Sequence, residues 1–164
     1  MSNRSRNRFI ADVMVGRLAR YLRMAGYDVA YSNNADDDEI LEMAVREDRI
    51  VLTRDTMMLK RKVFNNGVLR SVFITSDRLG DQLLQVMLYL GKRFKPRLVI
   101  CLVCNSPLVE VRKEDIKGKV PPYVYKTQDN FKYCPGCGRY YWRGTHYDYM
   151  EKYFDGLKRS TGKG

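Results

Sequence analysis

A length of 164 residues allows one domain of ordinary size, or a smaller domain plus a module, and 45% hydrophobic content is enough for a real core. Thirty Lys and Arg against 19 Asp and Glu give a net charge of +11, which favours a polyanionic partner, nucleic acid first, over a surface that is merely charged. No apolar run reaches the length of a membrane-spanning helix, and no secretory stretch follows the basic start Met1–Arg8, so a soluble cytoplasmic protein with no membrane partner is expected.

After a basic arm (residues 1–8), Phe9-Ile10-Ala11-Asp12 reads as a first strand with Asp12 at its end. Val13 to Ala25 reads as a helix: Leu18, Leu22 and Ala25 recur at helical spacing, and Gly26 is placed to stop it. Arg17, Arg20 and Arg23 recur every three residues and form a second stripe, either a solvated face or a phosphate-contacting one. Tyr27 to Ser32 reads as a second strand. Asp36-Asp37-Asp38-Glu39 then opens a helix that continues through Val45. Acids in a first turn complement the helix dipole, but four in a row exceed what capping needs. Ile50-Val51-Leu52 is an apolar run suited to a strand buried on both faces, and Asp55 follows where it leaves the sheet. Asp55 is either the cap of a helix at Thr56 or a site residue. A basic helix around Lys60 to Lys62, a turn at Asn65-Asn66-Gly67, a strand at Val72 to Ile74, Asp77 past its end, and a helix Leu79 to Leu90 closed by Gly91 complete the first part.

Alternating strands and helices predict an α/β fold whose parallel sheet is covered by helices on both faces. Such a sheet brings Asp12, the Asp36–Glu39 cluster, Asp55 and Asp77 to one edge, although they are far apart in sequence. Carboxylates without a histidine or an activated serine suit a hard, oxygen-bound cation, Mg²⁺ or Mn²⁺. With surrounding Arg and Lys to attract phosphates, this is the logic of a metal-dependent nuclease.

A basic link at Lys92 to Arg97 marks a boundary between residues 9–96 and a second module, 97–150, followed by a basic tail, 151–164. The two parts, split at residue 96, carry net charges of +5 and +6. All four cysteines lie in the second: Cys101-Leu102-Val103-Cys104 and Cys134-Pro135-Gly136-Cys137. Paired knuckles predict one Zn²⁺ held by four thiolates, a closed tetrahedral site and hence a structural one. The gap between the knuckles is long and calls for an insertion, with a helical turn near Pro121 to Tyr125. Arg139 and Arg143 interleave with Tyr140, Tyr141 and Trp142, a pattern that either stacks on unpaired bases or packs a small ribbon, with packing favoured for Trp142. His146, the only histidine, has nothing in the sequence to orient it. Tyr147 to Leu157 reads as a terminal helix.

Taken in order, Asp12-Val13-Met14-Val15-Gly16-Arg17-Leu18-Ala19-Arg20-Tyr21-Leu22-Arg23, Gly26-Tyr27-Asp28, Asp37-Asp38-Glu39-Ile40-Leu41, Leu52-Thr53-Arg54-Asp55, Pro121 to Tyr125, Thr127-Gln128-Asp129, Cys134 to Gly138, Trp142 and Gly144-Thr145-His146 resemble the RNase domain at the C-terminus of the Mut-seven exonucleases. The resemblance covers about residues 8 to 150. It implies a PIN-like α/β fold fused to a Cys₄ zinc ribbon, and metal-dependent hydrolysis of single-stranded RNA; an endoribonuclease is the first expectation. By matching position it makes Asp12, Asp37 and Asp55 ligands of Mg²⁺ or Mn²⁺, with Asp38 the competitor of Asp37 and Asp77 a fourth catalytic candidate. Arg17, Arg20, Arg23, Arg54, Arg139 and Arg143 are the candidate RNA contacts. The alternative is a binding protein for RNA, a ribosome or another ribonucleoprotein, whose acidic site has little or no catalysis.

Overall fold

The computed structural model describes residues 7–162, with side chains as far as residue 157, so most of the expected N-terminal arm lies outside the described residues. Residues 7–23 and 27–92 form one compact unit, and residues 24–26 and 93–162 a second. Among the described residues no helix is long and apolar enough to cross a membrane.

In the first unit β1 (Phe9–Ala11), β2 (Val29–Ala30), β3 (Ile50–Thr53) and β4 (Ser71–Phe73) form one sheet in the order β2-β1-β3-β4. Every pairing is parallel: Phe9 lies opposite both Val29 and Ile50, and Leu52 opposite Val72. All four residues of β3 are 0% exposed, which is why its sequence is a continuous apolar run and not an alternating one. On one face Ile10 and Val51 pack with Ile40, Leu41 and Ala44 of helix α2 (Asp37–Glu47), and with Met58 and Leu69. Phe9, Ala11, Ile50 and Leu52 alternate to the other face and are equally buried. The expected single helix over Val13–Ala25 is two pieces, a 3₁₀ turn Val13–Val15 and then α1 (Gly16–Met24). The Asp12 carboxylate accepts the Met14 N–H at 2.8 Å and tightens this first turn. Helices α3 (Thr56–Leu59), α4 (Lys62–Asn65) and α5 (Leu79–Leu90) follow, the last closed by Gly91 at φ 66°.

Arg49 ties this sheet together at the entry to β3. Its side chain is 8% exposed, and it donates to Glu47 at 2.6 Å, to Asp28 at 2.8 Å and to the Phe9 carbonyl at 3.0 Å. Removing it takes one charged donor each from two partly exposed carboxylates and from a backbone carbonyl. Arg49→Met is expected to destabilise the first unit by about 2 kcal/mol, the scale of lost charged hydrogen bonds. Urea unfolding followed by far-UV circular dichroism checks this; an unchanged midpoint would contradict it.

The second unit holds an antiparallel sheet, β5 (Val109–Val111), β6 (Phe131–Tyr133) and β7 (Tyr140–Tyr141), in that order. The stretch between the two cysteine pairs carries β5, a 3₁₀ turn at Lys113–Ile116, helix α6 (Pro122–Thr127) and β6. That insertion builds its own small core: Ile116, Val120 and Phe131, with Val111, Val124, Tyr125, Tyr140 and Trp142 against them. Trp142 meets Phe131 edge-on with ring centroids 6.2 Å apart, so it packs the ribbon. Helix α7 runs Thr145–Gly162, longer at both ends than expected. Residues 151–162 therefore continue a helix and are not a separate tail. Met150 and Phe154 are buried on its apolar stripe, and that burial carries the helix onward.

Candidate active site and metal centre

A parallel sheet ends all its strands on one edge, and three of the predicted carboxylates lie there. Asp12 directly follows β1, Asp55 lies two residues beyond β3, and Asp37 opens α2 after β2. Asp12 is 3% exposed; one of its oxygens accepts the Met14 N–H, and the other accepts the Thr53 hydroxyl. Thr53 Oγ1 in turn accepts the Asp55 backbone N–H at 2.9 Å. One hydroxyl, 0% exposed, thus fixes the two carboxylate-bearing turns against each other. Asp55 also caps α3, accepting the Met57 N–H at 2.9 Å, so the capping reading and the site reading of Asp55 are compatible.

The four acids before and within α2 divide their work. Asp36 and Glu39 form a reciprocal capping box, at 2.9 Å and 2.8 Å. Asp38 is exposed and paired with Arg61. Asp37 has neither task. Partial burial raises its pKa above the usual carboxylate value of 3.8; Asp55, Asp12 and Asp38 raise it further, against the lowering pull of Arg61. The negative charges of Asp12 and Asp55 therefore reach Asp37 across the edge. Among the described residues the carboxylate oxygens are not drawn as tightly together as the cysteine sulfurs. The donor set still fits a hard divalent cation: it is all oxygen, oriented by backbone N–H groups and a hydroxyl, with lone pairs to spare.

The linkage sign gives a test. A carboxyl whose folded-state pKa is raised costs stability once ionised, and that cost disappears as pH falls below its unfolded value. In metal-free buffer at pH 7, Asp37→Asn is therefore expected to be no less stable than wild type. Asp36→Ala should lose about 1 kcal/mol with its cap. Thermal melts of both variants decide; an equal loss in the two would show that Asp37 is a structural acid.

The second centre is built from two matching knuckles. Cys101 and Cys134 donate their N–H to the carbonyls of Ser106 and Arg139, at 2.9 and 2.8 Å. Their own carbonyls accept from Asn105 and Gly138, at 3.0 and 2.8 Å, and both of these residues have positive φ, 69° and 82°. A Cβ at Gly136 would collide with Ser106 Oγ and crowd Cys104 Sγ, so that turn needs glycine. The four sulfurs lie within 4.8 Å of one another, with Cys101 and Cys137 at 3.6 Å and Cys104 and Cys134 at 3.4 Å. These separations are close to the edge of a tetrahedron with Zn–S bonds of about 2.3 Å, roughly 3.8 Å. All four thiols are free of disulfides. Burial opposes ionisation of Cys101, but the Tyr141 hydroxyl at 3.1 Å and the backbone N–H groups of Cys104 and Val103 outweigh it and bring that thiol down to about 6. The four cysteines can hold a metal ion, and their chemistry suits zinc.

A family model described as the Mut7-C RNAse domain matches residues 7–154. The chain belongs to the Mut7-C RNAse domain family. The matched stretch includes both the carboxylate edge and the four cysteines, and membership points to a ribonuclease-type function with RNA as substrate. No curated protein and no solved structure compared with the chain matches it.

The other candidate residues of this Mut7-C chain fall into distinct places. Arg17 and Arg20 are exposed on α1. Arg23 is not: it is 6% exposed, and its guanidinium donates twice to the Val29 carbonyl, at 3.0 and 2.8 Å. Its assignment as an RNA contact is corrected, because the threefold spacing turns it progressively away from Arg17 and into the sheet. Arg54 Nε is buried with no hydrogen-bond partner among the described residues. Asp77 is exposed and is not among the charges acting on Asp37. Arg139 is exposed, and the neighbouring Cys137 thiol raises its pKa. Arg143 stacks over the Tyr147 ring, 4.6 Å from its centroid. His146 is exposed in the first turn of α7. Sequence reasoning missed Thr53 and Tyr141 as supports of the two centres. A lone polar residue ending an apolar strand was the available signal for Thr53; Tyr141 had none.

Proposed function

We propose that the chain is a Mg²⁺- or Mn²⁺-dependent endoribonuclease for single-stranded RNA, whose first unit is a PIN-like domain and whose zinc ribbon aids RNA binding. The observation that supports this reading is the Thr53 hydroxyl, which donates to the Asp12 carboxylate and accepts the Asp55 N–H, beside an Asp37 whose pKa is raised by burial first and then by Asp55 and Asp12. Asp12, Asp37 and Asp55 hold the cation, with Thr53 orienting the first and the third. A divalent cation held by these residues would supply the positive charge that favours deprotonation of the attacking water and offsets charge on the leaving oxygen. Arg17 and Arg20 draw the RNA backbone to this edge. Arg54, which stands between Thr53 and Asp55 just past β3, donates to a phosphate oxygen from its terminal guanidinium nitrogens. The zinc site, closed by four thiolates, takes no part in the reaction. The protein acts in the cytoplasm, on free RNA or on RNA within a ribonucleoprotein.

The test is cleavage of an unstructured, end-labelled RNA by purified protein with and without added Mg²⁺ or Mn²⁺. Internal cuts that require the cation are expected. Tight binding with no cleavage under any cation would instead favour the RNA- or ribosome-binding reading, to which the net charge of +11 also lends itself.

A further inference from the structure

The second unit contains a cavity of about 490 Å³ whose walls combine four cations with Pro96, Leu98 and Val99. Lys95 and Arg97 come from the segment that opens the unit, Lys132 from the middle of β6, and Arg143 from the turn before α7, with Asn130 and Tyr147 between them. These residues are distant in sequence, so the fold, not a local charge run, gathers them. One wall is rigid. Tyr147 is 7% exposed; its hydroxyl donates to the Pro96 carbonyl at 3.0 Å and accepts from Arg143 at 2.6 Å. That pair of bonds locks Arg143 over the Tyr147 ring and holds the Lys95–Arg97 segment beside it. Charge in the cavity is largely uncompensated. Lys132 has Glu110 at 3.7 Å, whereas among the described residues Lys95, Arg97 and Arg143 have no carboxylate within ion-pair distance.

Four cations around one concavity repel each other, and an anion with several oxygens relieves that repulsion. Arginine favours bidentate phosphate contacts, lysine adds point charge, and Asn130 and the Tyr147 ring offer amide and aromatic surface to a sugar or a base. We infer that this cavity is a phosphate-binding site for the backbone of single-stranded RNA, distinct from the carboxylate edge and formed wholly within the ribbon unit. The inference rests on the ribonuclease reading only for the identity of the polyanion; the cavity's own chemistry is set by its cations.

The experiment uses the full-length, zinc-loaded protein and a fluorescein-labelled, unstructured 12-nucleotide RNA, titrated by anisotropy without added Mg²⁺ or Mn²⁺. Lys95→Gln/Arg97→Gln keeps most of the side-chain volume and removes two charges from the cavity. Lys117→Gln/Lys126→Gln removes two charges from exposed positions of the same unit outside it. The cavity variant is expected to bind at least tenfold more weakly and to lose about 1.4 from its log–log salt slope, two phosphate contacts at about 0.7 each. The control pair should change affinity less than threefold. Equal losses in the two pairs would reduce the cavity to general surface charge, and wild-type binding by the cavity variant would overturn the site. Competition by inorganic phosphate or a mononucleotide as effective as the RNA, compared at equal phosphate, would mean a small-molecule site and contradict the backbone assignment. Melting temperatures and zinc content verify folding; should Lys95→Gln/Arg97→Gln melt early, the single variant Lys95→Gln carries the comparison. Binding is read without cleavage, so failure of the catalytic reading leaves this result intact, and failure here leaves cation-dependent cutting of a short RNA unchanged.

Discussion

Asp12→Asn is expected to reduce cation-dependent RNA cleavage by about a hundredfold or more, the scale of losing one group aimed at transition-state charge. The substitution also removes the acceptor of the Thr53 hydroxyl, since an amide NH2 group only donates. Asn keeps an oxygen that can accept the Met14 N–H, so the 3₁₀ turn into α1 should survive. Its larger loss is a full negative charge at the end of β1, where exposure is 3% and charge is little screened by solvent. Asp55→Asn should behave alike, because Asp55 shares Thr53 with Asp12. Thr53→Val separates orientation from charge: the carboxylates remain, but their common hydroxyl is gone. A loss of about 10- to 100-fold is expected there, typical of removing a group that orients a metal ligand. Cleavage rates at saturating cation, with circular dichroism to verify folding, check all three. Full activity in Thr53→Val would mean that the hydroxyl is only a packing detail.

Loss of the ion from the four cysteines is expected to unfold the ribbon. Structural zinc in small modules contributes about 10–16 kcal/mol of apparent binding free energy. The buried cluster between the knuckles, by contrast, numbers only Ile116, Val120 and Phe131. Trp142 is the only tryptophan and lies against that cluster, so its fluorescence reports on the ribbon alone. Cys101→Ser and Cys134→Ser should each abolish zinc in metal analysis and shift Trp142 emission to the red. The parallel sheet of the first unit should keep its circular dichroism signal. An unshifted emission in a zinc-free variant would show that the ribbon's apolar packing suffices.

Much of the site was legible because its signals are local or topological. An apolar run such as Ile50-Val51-Leu52 reports a buried parallel strand, and parallel strands carry Asp12 and Asp55 to one edge whatever their separation in the chain. Cysteine spacing reports the knuckles in the same way. The division of labour among Asp36, Asp37, Asp38 and Glu39 was not legible. It depends on Arg61 reaching back to Asp38 and on the capping box closing between Asp36 and Glu39, and neither is visible as a spacing that excludes the other choices. The burial of Arg23 was hidden for a related reason. A threefold repeat drifts around a helix, so arginines that look like one stripe end on different faces. The basic cavity was hidden altogether, since Lys95, Lys132 and Arg143 come from separate elements.

The central claim is that Asp12, Asp37 and Asp55 form one divalent-cation site. Mn²⁺ titration of the full-length, zinc-loaded protein, followed by electron paramagnetic resonance of the free ion, tests it most directly. Mn²⁺ binding is expected in wild type and Asp77→Asn, and its loss in Asp12→Asn, Asp37→Asn and Asp55→Asn alike. Unchanged Mn²⁺ binding in those three variants would contradict it.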